Sequence, residues 1–290
     1  MADAQAQGAD TIVTHGTMQS NHACQTAAAA AKLGLGCHIL LEERSGVVKD
    51  SYALSGNALL NHLHGACVSK FEPSVDISAE IACLANQLIQ DGKTPYIIPT
   101  GGSDCVGALG YVNCARELAE QAADFGLEID ALVHATDSAG TQAGLLVGLA
   151  AIQSDIHLLG IGVRAAQDQQ EQLVFNLAHR TAQHLGTGVK IARKDVHVNC
   201  GYVSAGYGLP SDGMVRSIKL LAQTEGLLFD PVYSGKGLDG LITLVKQGYF
   251  AGMNNVIFLH TGGTAALFGY PEIYDLPGYS HSKTIKNITN

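Results

Sequence analysis

Charge is scarce in this chain: only 15% of its 290 residues are Asp, Glu, Lys or Arg. With apolar residues at 47%, that scarcity excludes a disordered, solvating polypeptide. It leaves a compact globular protein, long enough for more than one lobe. Basic residues are the scarcer kind, 17 against 26 acidic, for a net charge of −9. A nucleic-acid surface is not expected on that balance. No apolar run reaches the roughly 18 residues that a membrane span needs. The opening MADAQAQGAD is small and polar, and reads as neither a signal nor a transit peptide. The seven cysteines (Cys24, Cys37, Cys67, Cys83, Cys105, Cys114 and Cys200) form no CxxC pair and are odd in number. Free thiols in a reducing cytoplasm fit this better than a disulfide or zinc framework. GxSxG is absent, DGKT at 91–94 lacks the leading glycine of a P-loop, and no internal repeat is found.

What is present is alternation. TIVTHG (11–16), CHILLE (37–42), ACVSKF (66–71) and PYIIPT (95–100) read as strands, and helical patterns separate most of them. A second series follows: ALVHAT (131–136), HLLGIGV (157–163), VHVNC (196–200) and NVIFLH (255–260). Helices are expected near 110–126, 141–153, 167–186, 211–226 and 238–248. Such alternation implies an α/β protein with parallel sheets and helices on both faces. Ligands then bind at the carboxyl ends of strands. The glycine-rich PTGGSDCVGALG (99–110) marks the expected boundary between lobes.

Several junctions carry chemistry. GTMQSNHACQTAAAAA (16–31) sets Gln19, Ser20, Asn21 and His22 between a strand and an alanine-rich helix. One such side chain is an ordinary helix cap; four in a row also suit a carboxylate held at a helix N-terminus. HATDSAGTQAGL (134–145) ends a strand in small residues, where backbone N–H groups can close on a phosphate or simply make a turn. YSGKGLDG (233–240) holds the GxGxxG of dinucleotide sites. The following strand ends in His260 rather than an acidic residue, which disfavours an NAD oxidoreductase. NCGYVSAGYGLP (199–210) places Tyr202 and Tyr207 in a glycine-rich loop. His62 and His64 lack a third ligand, so no metal is expected.

Read together with SGNALLNHLHGA, GYGLPSDGM, EGLLFDPVYSGKGLDGLI and FLHTGGTAALFGY, these segments give a chain that resembles one family from end to end. It is the family of pyridoxal-phosphate enzymes that includes 1-aminocyclopropane-1-carboxylate (ACC) deaminase, D-cysteine desulfhydrase and L-cysteate sulfo-lyase. The resemblance implies the two-lobed tryptophan-synthase-β-like architecture (fold type II), here a small lobe at 1–107 and a large lobe at 108–290. It implies pyridoxal 5'-phosphate as cofactor, a small amino acid as substrate, a homo-oligomer (a dimer) and a cytoplasmic setting. By resemblance Ser20 holds the substrate carboxylate, Asn21 bonds the cofactor ring hydroxyl, and Ser138, Ala139, Gly140 and Thr141 hold the phosphate. Tyr207 and Tyr233 match the two active-site tyrosines, and Ser234 stands where the partner of the ring nitrogen is placed.

Ser234 bears on the reaction, because a hydroxyl is a weaker partner than the glutamate of the ring-opening deaminases. It points to β-elimination of a sulfur group, giving pyruvate, ammonia and a sulfur species. The wording LLEE, VYSGKGL and ALFGY favours the L-cysteate sulfo-lyase branch, with D-cysteine desulfhydrase as the alternative. A sulfonate needs donors or a cation, for which Gln19, His22 and His260 are the candidates. Two departures stand out: Cys24 where the family has Arg, and Asp137 where it has Gly, a charge expected to weaken phosphate binding. The family's cofactor-bearing lysine lies in a GGNKTRKLE segment ahead of the part matched here. The expectation is therefore a truncated reading frame lacking that lysine and the first strand region of the large lobe. Lys32 and Lys236 do not take its place by resemblance. A non-catalytic remnant that binds cofactor or amino acid is the reading from another class.

Overall fold

The computed structural model describes residues 1–43, 50–204 and 206–274. Among the described residues, eight strands form two parallel sheets of four. The first contains β1 (Thr11–Thr17), β2 (Gly36–Glu42), β3 (Cys67–Phe71) and β4 (Pro95–Ile98), in the order β3-β2-β1-β4. The second contains β5 (Ala131–Thr136), β6 (His157–Gly162), β7 (His197–Asn199) and β8 (Val256–Phe258), in the order β7-β6-β5-β8. Each sheet thus has two inner strands, β1 and β2 in the first and β5 and β6 in the second. The α-helices among the described residues are α1 (Ala2–Ala6), α2 (Asn21–Lys32), α3 (Asp50–Leu54), α4 (Gly56–Leu63), α5 (Ile77–Gln90), α6 (Cys105–Asp124), α7 (Gly140–Ala151), α8 (Gln167–Leu185), α9 (Asp212–Thr224) and α10 (Ser234–Lys246). Among the described residues no helix is long and apolar enough to cross a membrane.

The inner strands are apolar because helices cover both faces of a parallel sheet. All six residues of β5 are buried. The alanines of α2 serve close approach: Ala23, Ala27 and Ala30 are fully buried beside Ile12, Ile39 and Leu41. The chain then returns. Ala266 and Tyr270, near its far end, pack into this same first core.

Strand positions follow the apolar runs; helix starts differ more. Helix α6 begins at Cys105, ahead of the expected 110, because the Asp104 carboxylate accepts the Gly107 N–H at 2.7 Å. Helix α10 begins at Ser234, four residues ahead of the expected 238, for a reason that lies with Asp230 below. The GxGxxG glycines fall inside α10. A Cβ on Gly237 would lie 2.9 Å from Ala135 Cβ, and one on Gly240 2.6 Å from Ile161 Cγ2. These glycines let a helix lie close on β5 and β6, so their pattern is one of packing and not of dinucleotide binding.

Helices α6 and α7 are in similarly close contact. A Cβ on Gly144 would sit 2.3 Å from the Ala108 carbonyl oxygen and 2.6 Å from Tyr111 Cβ. Replacing an open helical glycine by alanine gains about 0.5–1 kcal/mol. Gly144→Ala is expected instead to cost about 1–3 kcal/mol through overpacking, read as a lower urea midpoint. A raised midpoint would mean that the two helices separate freely.

Candidate active site

One inner strand of each sheet ends in a turn that starts a helix: β1 runs into α2 and β5 into α7. Between these turns lies a cleft of about 410 Å³ lined by His15, Ser20, Ser103, Ser138, Arg164 and Tyr207. The helix N-termini present unpaired N–H groups, which favours anions.

On the α2 side, Ser20 caps the helix, its Oγ accepting the Ala23 N–H at 3.2 Å. A lone pair makes that bond, so the hydroxyl proton is left for the cleft. A Cβ on Gly16 would fall 2.6 Å from Ser20 Oγ, so glycine is required there. The Asn21 Oδ1 accepts from Asn57 Nδ2 at 2.6 Å. That bond fixes the amide with Nδ2 against Gly263, whose own Cβ would lie 2.3 Å from it. An NH₂ so presented suits a phenolic oxygen acceptor.

Gln19 and His22 differ from expectation. Gln19 is fully buried, and its Nε2 donates to the carbonyls of Tyr52 (2.5 Å) and Ser55 (2.9 Å) while its Oε1 accepts the Asn57 N–H (2.9 Å). Its polar atoms are spent on holding the 52–57 segment, not offered to a substrate. His22 faces a different hollow, beside Tyr96 and Gly102. Thr14 Oγ1 donates to the Ile98 carbonyl at 2.9 Å, so its 2.8 Å contact with His22 Nε2 is one in which the imidazole donates. Burial, aided by nearby His15, lowers the His22 pKa to about 4, so it stays neutral. His260 is also committed, with Nε2 donating to the Leu228 carbonyl at 3.0 Å, Nδ1 accepting the Gly262 N–H and its ring stacked 4.1 Å from Phe229. None of the three expected sulfonate donors therefore faces the cleft with a free group.

On the α7 side, Ala139 adopts a left-handed conformation (φ 73°) at the N-cap position and has no side chain to cap the helix. Ser103 reaches over instead: its Oγ accepts the Gly140 N–H at 3.2 Å and donates to Ser138 Oγ at 2.7 Å. A hydroxyl there stands in for a phosphate oxygen. Thr141 follows on the first turn, half-buried. Asp137 is not a bare charge beside this turn, because Arg164 Nε bonds its Oδ1. The pair replaces the expected repulsion by a near-neutral couple, with a partly exposed guanidinium in the cleft.

The third wall comes from the tyrosines. Tyr207 lines the cleft, and burial together with the charges of Asp137 and Asp230 raises its pKa, so it remains a phenol. Tyr233 donates its hydroxyl to the Ala135 carbonyl at 2.7 Å. Ser234 is buried, its Oγ accepting the Asp230 N–H at 3.0 Å and donating to Asp230 Oδ2. That hydroxyl's proton is committed to Asp230.

Ser20, Ser138 and Tyr207 thus share one cleft, with Asn21, Ala139, Gly140 and Thr141 in the adjoining turns, while Gln19, His22, Tyr233 and Ser234 brace it. Sequence reasoning missed Ser103, hidden in the boundary stretch, and Arg164, isolated after β6. It also missed Asp230, an acid four residues before a helix start. The donor set fits pyridoxal phosphate: a helix N-terminus capped only by the Ser103 hydroxyl for the phosphate, an oriented amide for the ring hydroxyl and glycines where a Cβ would intrude.

A family model described as pyridoxal-phosphate dependent enzyme matches residues 1–262. The D-cysteine desulfhydrase of Salmonella choleraesuis (strain SC-B67) is 42% identical over 270 residues, 93% of this chain and 81% of that protein. The desulfhydrase of Salmonella paratyphi C (strain RKS4594) matches with the same figures. A crystal structure of an ACC deaminase homologue covers 94% of this chain and 79% of its own, at 32% identity and a TM-score of 0.83. O-ureido-L-serine synthase, 17% identical with a TM-score of 0.63 over 97% of this chain and 82% of its own, shares the fold. The fold is that of the type II pyridoxal-phosphate enzymes.

Two outcomes follow from this geometry. His22 and the fully buried His134 both have pKa values lowered to about 4 by burial, from an ordinary 6.5. The unfolded chain binds more protons between those values, so the stability they contribute is present above about pH 6.5 and lost as pH falls toward about 4. Ring signals of both residues in a proton NMR titration should stay neutral to below pH 5 (about 1.5 units under the ordinary value). Separately, Arg164→Gln would leave Asp137 unpaired by the phosphate turn. It should weaken binding of pyridoxal phosphate about tenfold, while Asp137→Asn should strengthen it. Equal affinities in an absorbance titration would remove both groups from the phosphate field.

Proposed function

The chain belongs to the pyridoxal-phosphate-dependent enzymes, and from that premise we propose that it is a carbon–sulfur lyase acting on D-cysteine, releasing pyruvate, ammonia and sulfide. The observation that carries the reading is the cleft in which the Ser20 and Ser138–Thr141 helix starts face each other, in a chain 42% identical to D-cysteine desulfhydrases. The cofactor supplies an electron sink for the bond broken at the substrate α-carbon.

The side chains divide the remaining work. Ser20 and the N–H groups of the first α2 turn hold the amino acid's carboxylate, fixing which bond at the α-carbon faces the ring. Asn21 donates to the ring hydroxyl. Ser138, Ala139, Gly140 and Thr141, with Ser103, hold the phosphate, and Arg164 offsets Asp137 beside it. Tyr207, kept as a phenol, gives its proton to the departing sulfur, the role of a general acid. Tyr233 braces the end of β5. Near the ring nitrogen Ser234 offers a hydroxyl already tied to Asp230, a weak partner that suits β-elimination more than opening of a cyclopropane ring.

Arg164 supports a second substrate. A sulfonate carries a fixed negative charge, and this guanidinium is a cation in the cleft. L-cysteate, giving sulfite, is the alternative on that ground.

The test supplies pyridoxal phosphate to the protein, records its visible spectrum, and follows pyruvate from D-cysteine and L-cysteate and 2-oxobutanoate from the cyclopropane amino acid. Faster pyruvate release from D-cysteine is expected. Faster turnover of L-cysteate would move the assignment to sulfo-lyase, and 2-oxobutanoate would overturn the argument from Ser234. Cofactor bound with no product from any substrate would make the chain a binding remnant.

A further inference from the structure

Lys236 is fully buried in α10, three residues past Tyr233. Its Nζ donates to the carbonyls of Val203 at 2.8 Å and Gly206 at 2.6 Å. Among the described residues no carboxylate pairs with it. Burial lowers its pKa to about 8, which records the cost of keeping an ammonium out of water. A methionine would fill similar space without that cost, so the two carbonyls are the reason for the charge.

Those carbonyls belong to the glycine-rich loop that ends in Tyr207. Presenting both to one nitrogen requires a bent backbone, with Ser204 at φ 62° and Gly206 at φ 151°. On the other side of Tyr207, the Gly208 carbonyl accepts from Tyr270 Oη at 3.1 Å. The carbonyls of the residues before and after Tyr207 are therefore each held by a buried side chain from a different element. Resting on the assignment of Tyr207 as proton donor, we propose that Lys236 is a positioning residue: with Tyr270 it clamps the backbone on both sides of Tyr207 and sets that phenol in the cleft. Because Lys236 rides on the helix that starts with Tyr233 and Ser234, one rigid rod holds all three site residues in register.

The experiment compares wild type, Lys236→Met, Lys236→Gln and Tyr270→Phe by amide hydrogen exchange, each with pyridoxal phosphate added. Lys236→Met should accelerate exchange in peptides covering 203–208 by about tenfold, leaving β1 and α7 as in wild type. Its melting temperature should hold or rise, since a buried charge is removed. Lys236→Gln keeps two N–H donors on a shorter stem and should fall between. With D-cysteine, kcat of Lys236→Met should drop about 10- to 100-fold at a nearly constant KM and cofactor affinity. Wild-type exchange at 203–208, or acceleration spread evenly over the chain, would overturn the proposal. Should Lys236→Met fail to fold, Tyr270→Phe decides: the same local acceleration supports the clamp, and wild-type exchange refutes it. Wild type that releases no pyruvate would sink the lyase reading, yet the exchange result would still judge the clamp.

Discussion

One buried carboxylate organises the second half of the site. Asp230 is fully buried and accepts hydrogen bonds from the backbone N–H groups of Val232, Tyr233 and Ser234 and from the Ser234 hydroxyl. Taking a carboxylate out of water costs several kcal/mol; four donors, at about 1.5–3 kcal/mol for each bond to a charge, offset it. Burial still pushes the acid's pKa up, against the pull of those donors. The negative charge also sits at the N-terminus of α10, where the helix dipole favours it. Where α10 starts decides where Tyr233 points, which glycines meet the sheet and what Lys236 can reach.

Strand β5 is tied to this arrangement through the Ala135 carbonyl. The Ala135 carbonyl accepts both from the Tyr233 hydroxyl and from His134 Nδ1 at 2.7 Å, so both lone pairs are used. Asp137 and the phosphate turn follow at once. Strand end, turn and helix start are thus braced before any ligand arrives, which spares binding the cost of ordering them.

The fold was legible because parallel strands buried on both faces write themselves as apolar runs; β1, β2, β5 and β6 needed no tertiary information. Helix starts were less so, since Asp104 and Asp230 cap from positions that short glycine-rich stretches obscure. At the site, junction motifs located Ser20 and the Ser138–Thr141 turn. Direction was the harder matter. Gln19 and His22 flank Ser20 in the chain, yet a turn sends successive side chains to different neighbours, and only packing decides which meets the cleft. Arg164 could not be paired with Asp137 from sequence, because strands β5 and β6 bring together residues separated by an entire helix. Ser103 was equally hidden, as its partner Gly140 lies beyond α6.

The return of the chain to its first core bears on the order of assembly. Ala266 and Tyr270 pack with Ile12, Ile39 and Tyr52, and the Ser55 hydroxyl donates to the Phe268 carbonyl at 2.7 Å. During synthesis the first sheet emerges ahead of these partners, which lie beyond the whole of the second sheet. Domains commonly fold in the order in which they leave the ribosome; here the first core stays unfinished, with apolar surface uncovered, until the 266–270 segment closes it.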